Sequence, residues 1–380
     1  MNIAIIGSGI SGLYTGYYLK KNKSNINFDI FEKNNHIGGR IKMIKFDGID
    51  VVAGAGIGRF KKDKLLLSLC KELNVLKSIY NVDKSYTFEP LNVNKVVQYL
   101  KKHSQNYDRH SFTFKQFAID VLGKDLYEHF ILSVGETDYE NEDFIDALFD
   151  YGFELFNTTN TFQAFSIDWN KMLSAFYKVL KNNIKLNTPV KNLVFDVKLQ
   201  KYIINNQYFY DKIVFATEIN TITRFIKLPI YSNIKCQSFI RLYVKLDNPL
   251  LNYKSFIVTE RPFQKIIEMN REKCIYMISY CDNKFVNNWK RVKNIKLYVK
   301  KHIKSIFNQD VNVIKHHLVL WECGTHFYLP LHSAYKNRDE FLLQAQNPYK
   351  NVFIVGEALS RDQGWCEGAI HSVHKIIDYL

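Results

Sequence analysis

The first residues able to do chemistry form a glycine-rich turn near the start of the chain. Gly7, Gly9 and Gly12 follow the short apolar segment Asn2–Ile6 and precede a segment of helical character. In such a turn the first glycine allows a tight bend, the second lets the backbone approach a diphosphate, and the third lets helix and strand pack closely. Glu32 lies 20 residues after Gly12, at the end of a second predicted strand, where a carboxylate accepts hydrogen bonds from ribose hydroxyls. This order of elements predicts a dinucleotide-binding site, and an acid at this position argues against a 2′-phosphate on the ribose.

A second glycine patch bears on which dinucleotide is bound. Gly38-Gly39-Arg40 follows Glu32 after five intervening residues. Together the two patches resemble the flavin amine oxidase and protoporphyrinogen oxidase superfamily. The resemblance implies that the cofactor is FAD and that the loop carrying Arg40 contacts its diphosphate.

Segments farther along the chain extend this resemblance. "GAGIGR", residues 54–59, resembles the segment whose small residues let the backbone pass beside the flavin ring, although Val52 replaces the acid that usually precedes it. "TPVKNLVFD" contains Val190, and the resemblance implies that its backbone contacts the adenine. "VFATE", residues 214–218, resembles the strand that follows in these proteins.

The C-terminal segment carries the most specific motif. Gly356-Glu357-Ala358 and "QGWCEGA" at residues 363–369 are similar to the "GEa…qGWveGA" signature of flavin monoamine oxidases. The resemblance implies that Glu357 binds the ribityl chain. It also implies that the helix beginning near Cys366 directs its positive N-terminal end at the flavin N1–C2=O edge, which stabilises the anionic reduced flavin. The cofactor-binding residues implied in this way are Gly7, Gly9, Ser11, Gly12, Glu32, Lys33, Gly39, Arg40, Gly54, Ala55, Gly56, Ile57, Val190, Gly356, Glu357, Trp365, Cys366 and Ala369.

The resemblance further implies a reaction. A neutral amine would transfer hydride from its α-carbon to flavin N5, water would hydrolyse the resulting imine, and O2 would reoxidise the flavin with formation of hydrogen peroxide. The partners expected are therefore a small molecule, either an amine or another small donor, and O2. The protein would supply an apolar, aromatic slot, and Trp365 matches the position of one aromatic wall. Phe327 and Tyr328 are candidates for the other wall, while packing in a core is an equally good interpretation of both.

One position departs from the pattern of amine oxidases. Arg241, in "SFIRLYVKLDNP", stands where these enzymes often place a lysine bonded through water to N5. Arginine is bulkier, forked and permanently charged, which puts rapid amine oxidation in doubt. The segment at residues 111–138 resembles instead the protoporphyrinogen oxidase and carotene desaturase branch. Two alternatives therefore stand beside an amine oxidase: a dehydrogenase of the desaturase type, and a flavin-binding protein without amine oxidase activity.

The elements that must position these residues indicate an α/β fold. Strands are predicted at residues 2–6 and 27–31, and helices over 60–80, over 111–157 with Ser111 or Thr113 as cap, and over 293–307. The apolar segment "NVFIVGE" near the C-terminus has the character of a buried parallel strand. We expect a discontinuous Rossmann-type FAD-binding domain and an inserted α+β substrate-binding domain, the two-domain architecture of amine oxidases. The predicted segments are 1–75, 160–228 and 350–380 for the first domain and 76–159 and 229–349 for the second.

The distribution of charge along the chain argues against a nucleic-acid partner. The chain has 52 Lys and Arg against 37 Asp and Glu, a formal net charge of +15, and a basic surface favours polyanions. The lysines are nevertheless spread along the chain without a run of five or six like charges, and the sequence signatures of nucleic-acid-binding modules are missing. We therefore predict no nucleic-acid site.

Cysteine usage and hydropathy indicate the compartment. The six cysteines include no CxxC pair, so reduced thiols are expected, with Cys323 a free buried cysteine rather than a covalent flavin ligand. No metal site is predicted. No segment approaches 18 consecutive apolar residues, so no membrane span is expected, and a cytoplasmic location is predicted.

Overall fold

The computed structural model describes residues 1–23, 25–153, 161–251 and 253–380. The helices are α1 (Ile10–Asn22), α2 (Lys64–Glu72), α3 (Val93–His103), α4 (Phe114–Leu122), α5 (Lys124–Val134), α6 (Phe144–Asp150), α7 (Trp169–Leu180), α8 (Ile219–Phe225), α9 (Val286–Lys290), α10 (Ile295–Phe307), α11 (Arg338–Gln346) and α12 (Cys366–His374). The strands are β1 (Asn2–Ile6), β2 (Asn27–Phe31), β3 (Met43–Phe46), β4 (Ile49–Val52), β5 (Gly58–Arg59), β6 (Leu76–Val82), β7 (Lys84–Tyr86), β8 (Phe162–Ile167), β9 (Ile184–Lys185), β10 (Leu193–Asp196), β11 (Lys201–Ile204), β12 (Tyr208–Tyr210), β13 (Lys212–Phe215), β14 (Ile234–Leu246), β15 (Phe256–Val258), β16 (Lys265–Asn270), β17 (Ile275–Asp282), β18 (Val313–Tyr328) and β19 (Val352–Ile354).

A five-stranded parallel sheet forms one half of the molecule. Its strand order is β19-β13-β1-β2-β9, with parallel pairing throughout. Ile3, Ala4 and Ile5 of the central strand are fully buried, as expected of a parallel strand covered on both faces. Ile3 and Ile5 join the core that includes α1, α7 and α12, and Ala4 joins the core that includes α8 and α11. The predicted α/β fold with a Rossmann-type sheet is confirmed.

A six-stranded mixed sheet forms the second half. Its order is β18-β14-β17-β16-β15-β7, and its pairs are antiparallel except for β15 with β7. Helices α3 to α6 pack nearby around a separate aromatic core. Small sheets complete the fold, in the orders β5-β8-β6, β10-β11-β12 and β3-β4.

Two predicted helices are shorter than the sequence indicated. The helix predicted over 60–80 ends at Glu72, because Asn74 adopts a left-handed conformation (φ 53°) and the chain then enters β6. The helix predicted over 111–157 is three helices, since Gly123 (φ 77°) and Gly135 (φ 74°) interrupt it. Its predicted residues 154–157 lie outside the described part of the chain. Its start was correct, because Thr113 caps α4.

The boundaries of the two predicted domains remain a prediction. The parallel sheet draws its strands from residues 2–31, 184–185, 212–215 and 352–354, while the mixed sheet uses residues 84–86 and 234–328. The predicted boundary at 159/160 lies outside the described residues. In the part of the chain that is described, no helix is both long enough and apolar enough to cross a bilayer.

Candidate functional site: two joined cavities

The glycine turn presents the open end of α1. The third glycine of the turn is required by close packing, since a Cβ on Gly12 would lie 2.0 Å from the Gly7 carbonyl oxygen. A Cβ on Gly9, by contrast, would meet nothing within 4 Å. Gly9 precedes the helix without a side-chain cap, and the first turn contains no acidic residue. The first backbone N–H groups of α1 are therefore available to an anionic ligand.

The buried carboxylate of Glu32 closes this end of the site. Its Oε2 accepts hydrogen bonds from the Ser8 backbone N–H (3.0 Å) and hydroxyl (2.6 Å). Its Oε1 accepts from the Asn34 backbone N–H (2.9 Å) and side-chain amide (2.8 Å). These contacts hold the carboxylate in place at the end of β2, beside the turn.

A cavity of about 1180 Å³ extends from this turn to Trp365, a volume above the roughly 300–1,000 Å³ common for small-molecule sites. Basic residues outnumber acidic ones in its wall, which suits a diphosphate: Lys33, Arg40, Lys42, Lys191, Arg224 and Arg241 against Glu32, Glu218 and Glu357. Most of the predicted cofactor-binding residues line it, namely Gly7, Gly9, Ser11, Glu32, Lys33, Gly39, Arg40, Gly54, Ala55, Val190, Gly356, Glu357, Trp365, Cys366 and Ala369. Gly56 and Ile57 line the neighbouring cavity instead, and Gly12 lies behind the turn.

The wall fits an extended dinucleotide such as FAD. The hydroxyl oxygens of Thr217 and Thr325 are buried, have no hydrogen-bond partner among the described residues, and belong to residues of the cavity wall. Buried hydroxyls without partners are costly, so a polar ligand in the cavity would satisfy them. Thr217 lies beside Gly7 of the turn and Thr325 lies beside Gly364, so the two hydroxyls belong to different parts of one cavity, which a dinucleotide could span.

An ionic network links the second glycine patch to the C-terminal motif. Arg40 Nη1 donates to Glu357 Oε1 (2.6 Å) and to the Gly324 carbonyl oxygen (2.7 Å). His326 Nδ1 donates to the same Glu357 oxygen, and the Gly364 N–H donates to its other oxygen (2.7 Å). Burial would raise the pKa of Glu357, but the charges of His326 and Arg40 outweigh it and hold that pKa below its usual range. Glu357 is therefore a fixed negative charge inside the cavity wall.

The backbone of the "GAGIGR" segment packs closely against Arg40 of this network. A Cβ on Gly54 would lie 1.8 Å from the Arg40 carbonyl oxygen, which also accepts a hydrogen bond from the Ala55 N–H (3.0 Å). The Trp169 indole N–H donates to the Gly56 carbonyl oxygen (2.8 Å). The segment thus passes between two cavities and is held by backbone contacts to Arg40 and Trp169.

A second cavity, of about 420 Å³, meets the first. Both walls include Arg241, Tyr280, Thr325, Gly364 and Trp365. Trp365 is held by a hydrogen bond from its indole N–H to Asp63 (2.8 Å). The two cavities therefore join at a cation and two aromatic rings.

Arg241 is a buried cation at this junction. It is 5% exposed, and its guanidinium carbon lies 4.8 Å from the Tyr280 ring centroid and 6.0 Å from that of Phe239. Among the described residues Arg241 forms no ion pair, and its Nε has no hydrogen-bond partner. Its charge is therefore available to groups in the cavities, and it favours negative charge there.

The second cavity also contains buried acids. Lys265 pairs with Glu136 and lies 4.1 Å from the Tyr280 ring centroid. Burial would lower the pKa of Lys265, but Glu136 outweighs it, so the pKa is raised and the lysine stays charged. Burial raises the pKa of Asp138 well above its usual range, and the charges of Asp282 and Glu136 raise it further. The cavity thus offers both a fixed ion pair and a carboxyl group that tends to keep its proton.

The structure places two predicted aromatic residues elsewhere. Tyr328 is buried in the core that includes α8 and α11. Its hydroxyl donates hydrogen bonds to the carbonyl oxygens of Ala358 (2.9 Å) and Ser360 (3.1 Å). Phe327 is also buried, and neither residue is in the wall of either cavity. Tyr280 occupies the aromatic position beside Arg241 instead, because β17 pairs with β14 in a register that puts Arg241 opposite Tyr280.

The expectation that Cys323 is a free buried thiol is wrong. Cys323 is half-buried and forms a disulfide with Cys236, 87 residues earlier in the chain. An irregularity in the β14–β18 pairing, between Gln237 and Phe239, brings the two cysteines together. Sequence reasoning missed the pair because no CxxC spacing marks it. Cys366 is buried in the cavity wall, as expected of a small packing residue.

Comparison with known protein families gives a match to the N-terminal part of the chain. The family described as NAD(P)-binding Rossmann-like domain matches residues 5–73. Coproporphyrinogen III oxidase of Staphylococcus aureus is 34% identical over 91 residues, which are 23% of this chain and 19% of that protein. Prenylcysteine oxidase 1 of Rattus norvegicus is 38% identical over 96 residues, 23% of this chain and 18% of that protein. The chain thus spans about a fifth of the length of the curated relatives it matches.

Solved structures share the whole fold. A putrescine oxidase variant superposes with a TM-score of 0.78 at 13% identity, covering 100% of this chain and 98% of that one. A protein assigned as a protoporphyrinogen oxidase of Exiguobacterium sp. 255-15 gives a TM-score of 0.73 at 13% identity, with 100% and 98% coverage. At such identities the likeness establishes the fold alone.

Proposed function

We propose that this chain, whose fold matches that of solved putrescine oxidase and protoporphyrinogen oxidase structures, is an FAD-dependent oxidoreductase. The observation that carries the proposal is the pair of joined cavities, one with the features of a dinucleotide site and one closed around Tyr280 and Trp365. FAD would supply the two-electron acceptor. The residues of this chain would bind it, orient a donor against it and exclude water.

The cofactor would be held at three places. Backbone N–H groups at the start of α1 would bind the diphosphate, with Glu32 at the ribose hydroxyls. The Arg40–Glu357 pair would lie along the middle of the cavity, where Glu357 is fixed by three donors. The N-terminus of α12 would place a positive dipole end beside Cys366, where negative charge develops on reduction.

The donor we propose is a neutral amine, with O2 as the electron acceptor. Trp365 and Tyr280 offer an aromatic slot at the junction of the cavities. The charge of Arg241 repels an ammonium group, so an amine would have to react in its neutral form. Arg241 would also stabilise the negative charge of the reduced cofactor.

A dehydrogenase of the desaturase type is the second candidate. The observation that favours it is also Arg241, since a buried cation with no ion-pair partner among the described residues suits an anionic group on the substrate better than a cationic one. Such a substrate would pass its electrons to an acceptor other than O2.

Stopped-flow reduction of the flavin in the absence of oxygen tests the proposal. The wild type, Arg241→Lys and the exposed control Arg291→Lys are mixed with a pool of mono-, di- and polyamines. We expect flavin bleaching in all three, at a rate retained or raised in Arg241→Lys, and hydrogen peroxide on admission of air. If no amine bleaches the flavin in any of the three proteins, the amine oxidase proposal is wrong.

A further inference from the structure

The disulfide lies between the cofactor cavity and the protein surface. Cys323 is in the wall of the 1180 Å³ cavity. Cys236, on β14, is half-buried, and its sulfur accepts a hydrogen bond from the amide of exposed Asn220 (3.4 Å). Two electrons entering at Cys236 would therefore be delivered to Cys323 at the cavity.

A histidine is placed to handle the proton of Cys323. His326 Nε2 lies 3.5 Å from the Cys323 sulfur and accepts a hydrogen bond from the Ile219 backbone N–H (3.2 Å). Its Nδ1 faces Glu357 Oε1. Because Nδ1 donates to the Glu357 carboxylate and Nε2 accepts from the Ile219 amide, Nε2 is the ring nitrogen that faces the Cys323 sulfur. A thiol at Cys323 would have a proton acceptor within reach, oriented by Glu357.

We propose that Cys236 and Cys323 are a redox-active pair that takes electrons from an external dithiol and passes them to the cofactor in the cavity, giving the protein a thiol oxidase activity. This inference rests on the proposed binding of FAD. The contact of half-buried Cys236 with exposed Asn220, the cavity position of Cys323 and the histidine beside it each serve this sequence of steps, whereas a purely structural cross-link needs none of them.

The proposed reaction transfers two electrons and two protons from the dithiol to O2. One thiolate of the dithiol attacks the Cys236 sulfur, forming a mixed disulfide and releasing Cys323 as a thiolate. The second thiol of the donor displaces Cys236, so the donor leaves as a cyclic disulfide and both cysteines are reduced. The Cys236–Cys323 bond then reforms as two electrons and two protons pass to oxidised FAD, with His326 accepting the Cys323 proton. O2 takes the two electrons and two protons from the reduced cofactor and becomes hydrogen peroxide.

Electron counting on the FAD-loaded protein tests the pair. Wild type, Cys236→Ser, Cys323→Ser and the half-buried control Cys274→Ser, which replaces a free cysteine, are titrated anaerobically with dithionite. Thiols are counted in parallel by alkylation and mass spectrometry of the denatured chains. We expect wild type and Cys274→Ser to take up four electrons per flavin and the other two variants to take up two. Dithiothreitol should reduce the flavin of wild type at least about tenfold faster than that of Cys236→Ser.

Several results would overturn the inference. One is equal electron uptake by wild type and Cys236→Ser, and another is a disulfide that dithiothreitol reduces without reducing the flavin. The sulfurs of Cys236 and Cys323 and a nitrogen of His326 also lie within 4.8 Å of one another, so a bound metal ion with both thiols reduced would refute it. So would flavin that stays attached to Cys323 after denaturation. A protein that retains no flavin at the outset fails the proposed function instead, and its absorbance separates that case from these.

The role of His326 has its own readout. In Cys236→Ser the remaining thiol of Cys323 is alkylated with iodoacetamide over a range of pH, with and without His326→Gln. We expect the alkylation profile to move to higher pH when the histidine is replaced, because the thiol then loses its proton acceptor. An unchanged profile would contradict a proton-accepting role for His326.

Discussion

A methyl group added at Gly9 should weaken ligand binding while it leaves the stability of the ligand-free fold nearly unchanged. Gly9 has φ −69° and ψ 178°, a conformation open to alanine, and its Cβ would meet nothing within 4 Å. Replacing glycine at such a position stabilises by about 0.4–1 kcal/mol through the unfolded state. The loss of a good helix N-cap offsets much of this gain. The free energy of unfolding of FAD-free Gly9→Ala should therefore change by less than about 0.5 kcal/mol.

The same methyl group should weaken FAD binding. It occupies the space through which the backbone is expected to approach the diphosphate. Overpacking of this kind costs about 1–3 kcal/mol, which raises the dissociation constant of FAD about 5- to 150-fold at 25 °C. The assay pairs urea unfolding of the FAD-free protein with a titration of FAD by quenching of its fluorescence.

Gly12→Ala is the matched comparison. Its Cβ would lie 2.0 Å from the Gly7 carbonyl oxygen, and no side-chain rotation relieves a clash of a Cβ with the backbone. That variant should lose about 1–3 kcal/mol of stability even without FAD. If Gly9→Ala binds FAD as tightly as wild type, or is destabilised as much as Gly12→Ala, the assignment of the diphosphate to this turn is refuted.

Two further variants test the charges of the cavities by the pH dependence of stability. The pKa of Glu357 is lowered by His326 and Arg40 against the effect of burial. Its ionised form therefore contributes stability that is present at neutral pH and is lost as the pH falls below about 4.3. Glu357→Gln should lower the FAD-free Tm at pH 7, by an amount equivalent to about 3 kcal/mol, and should make the Tm depend less on pH in the acid range. The pKa of Asp138 is raised by burial first and by neighbouring acids second, so stability falls as the pH rises above about 3.9. Asp138→Asn keeps an acceptor for the Tyr151 hydroxyl. The Tm of this variant minus that of wild type should therefore increase from pH 5 to pH 8, and the same Tm difference at both pH values would contradict the raised pKa.

Local sequence patterns predicted the Rossmann-type half of the fold well. The strand, glycine turn and helix at its start are local features, since the spacing of Gly7 and Gly12 is tied to one close contact between helix and turn. The strand "NVFIVGE" was recognisable because a short apolar run at β19 is buried beside β13. Most of the predicted cofactor residues therefore lie in the wall of one cavity.

The junction of the cavities depends on strand register, which local patterns do not contain. Tyr280 lies beside Arg241 because β14 and β17 pair in one particular register, and either a slip of one residue or a different partner strand would move it away. Likewise, Cys236 and Cys323 are 87 residues apart and meet only through an irregularity between β14 and β18. The aromatic wall was sought in the sequence at Phe327 and Tyr328, whose side chains the fold buries.

The visible absorption spectrum of the purified protein, recorded after incubation with FAD and removal of unbound cofactor, tests the central claim most directly. For wild type we predict oxidised flavin bands at an intensity equivalent to stoichiometric FAD. For Gly9→Ala we predict the same bands at lower intensity. A folded protein that retains no flavin under these conditions would contradict the assignment of the larger cavity to FAD.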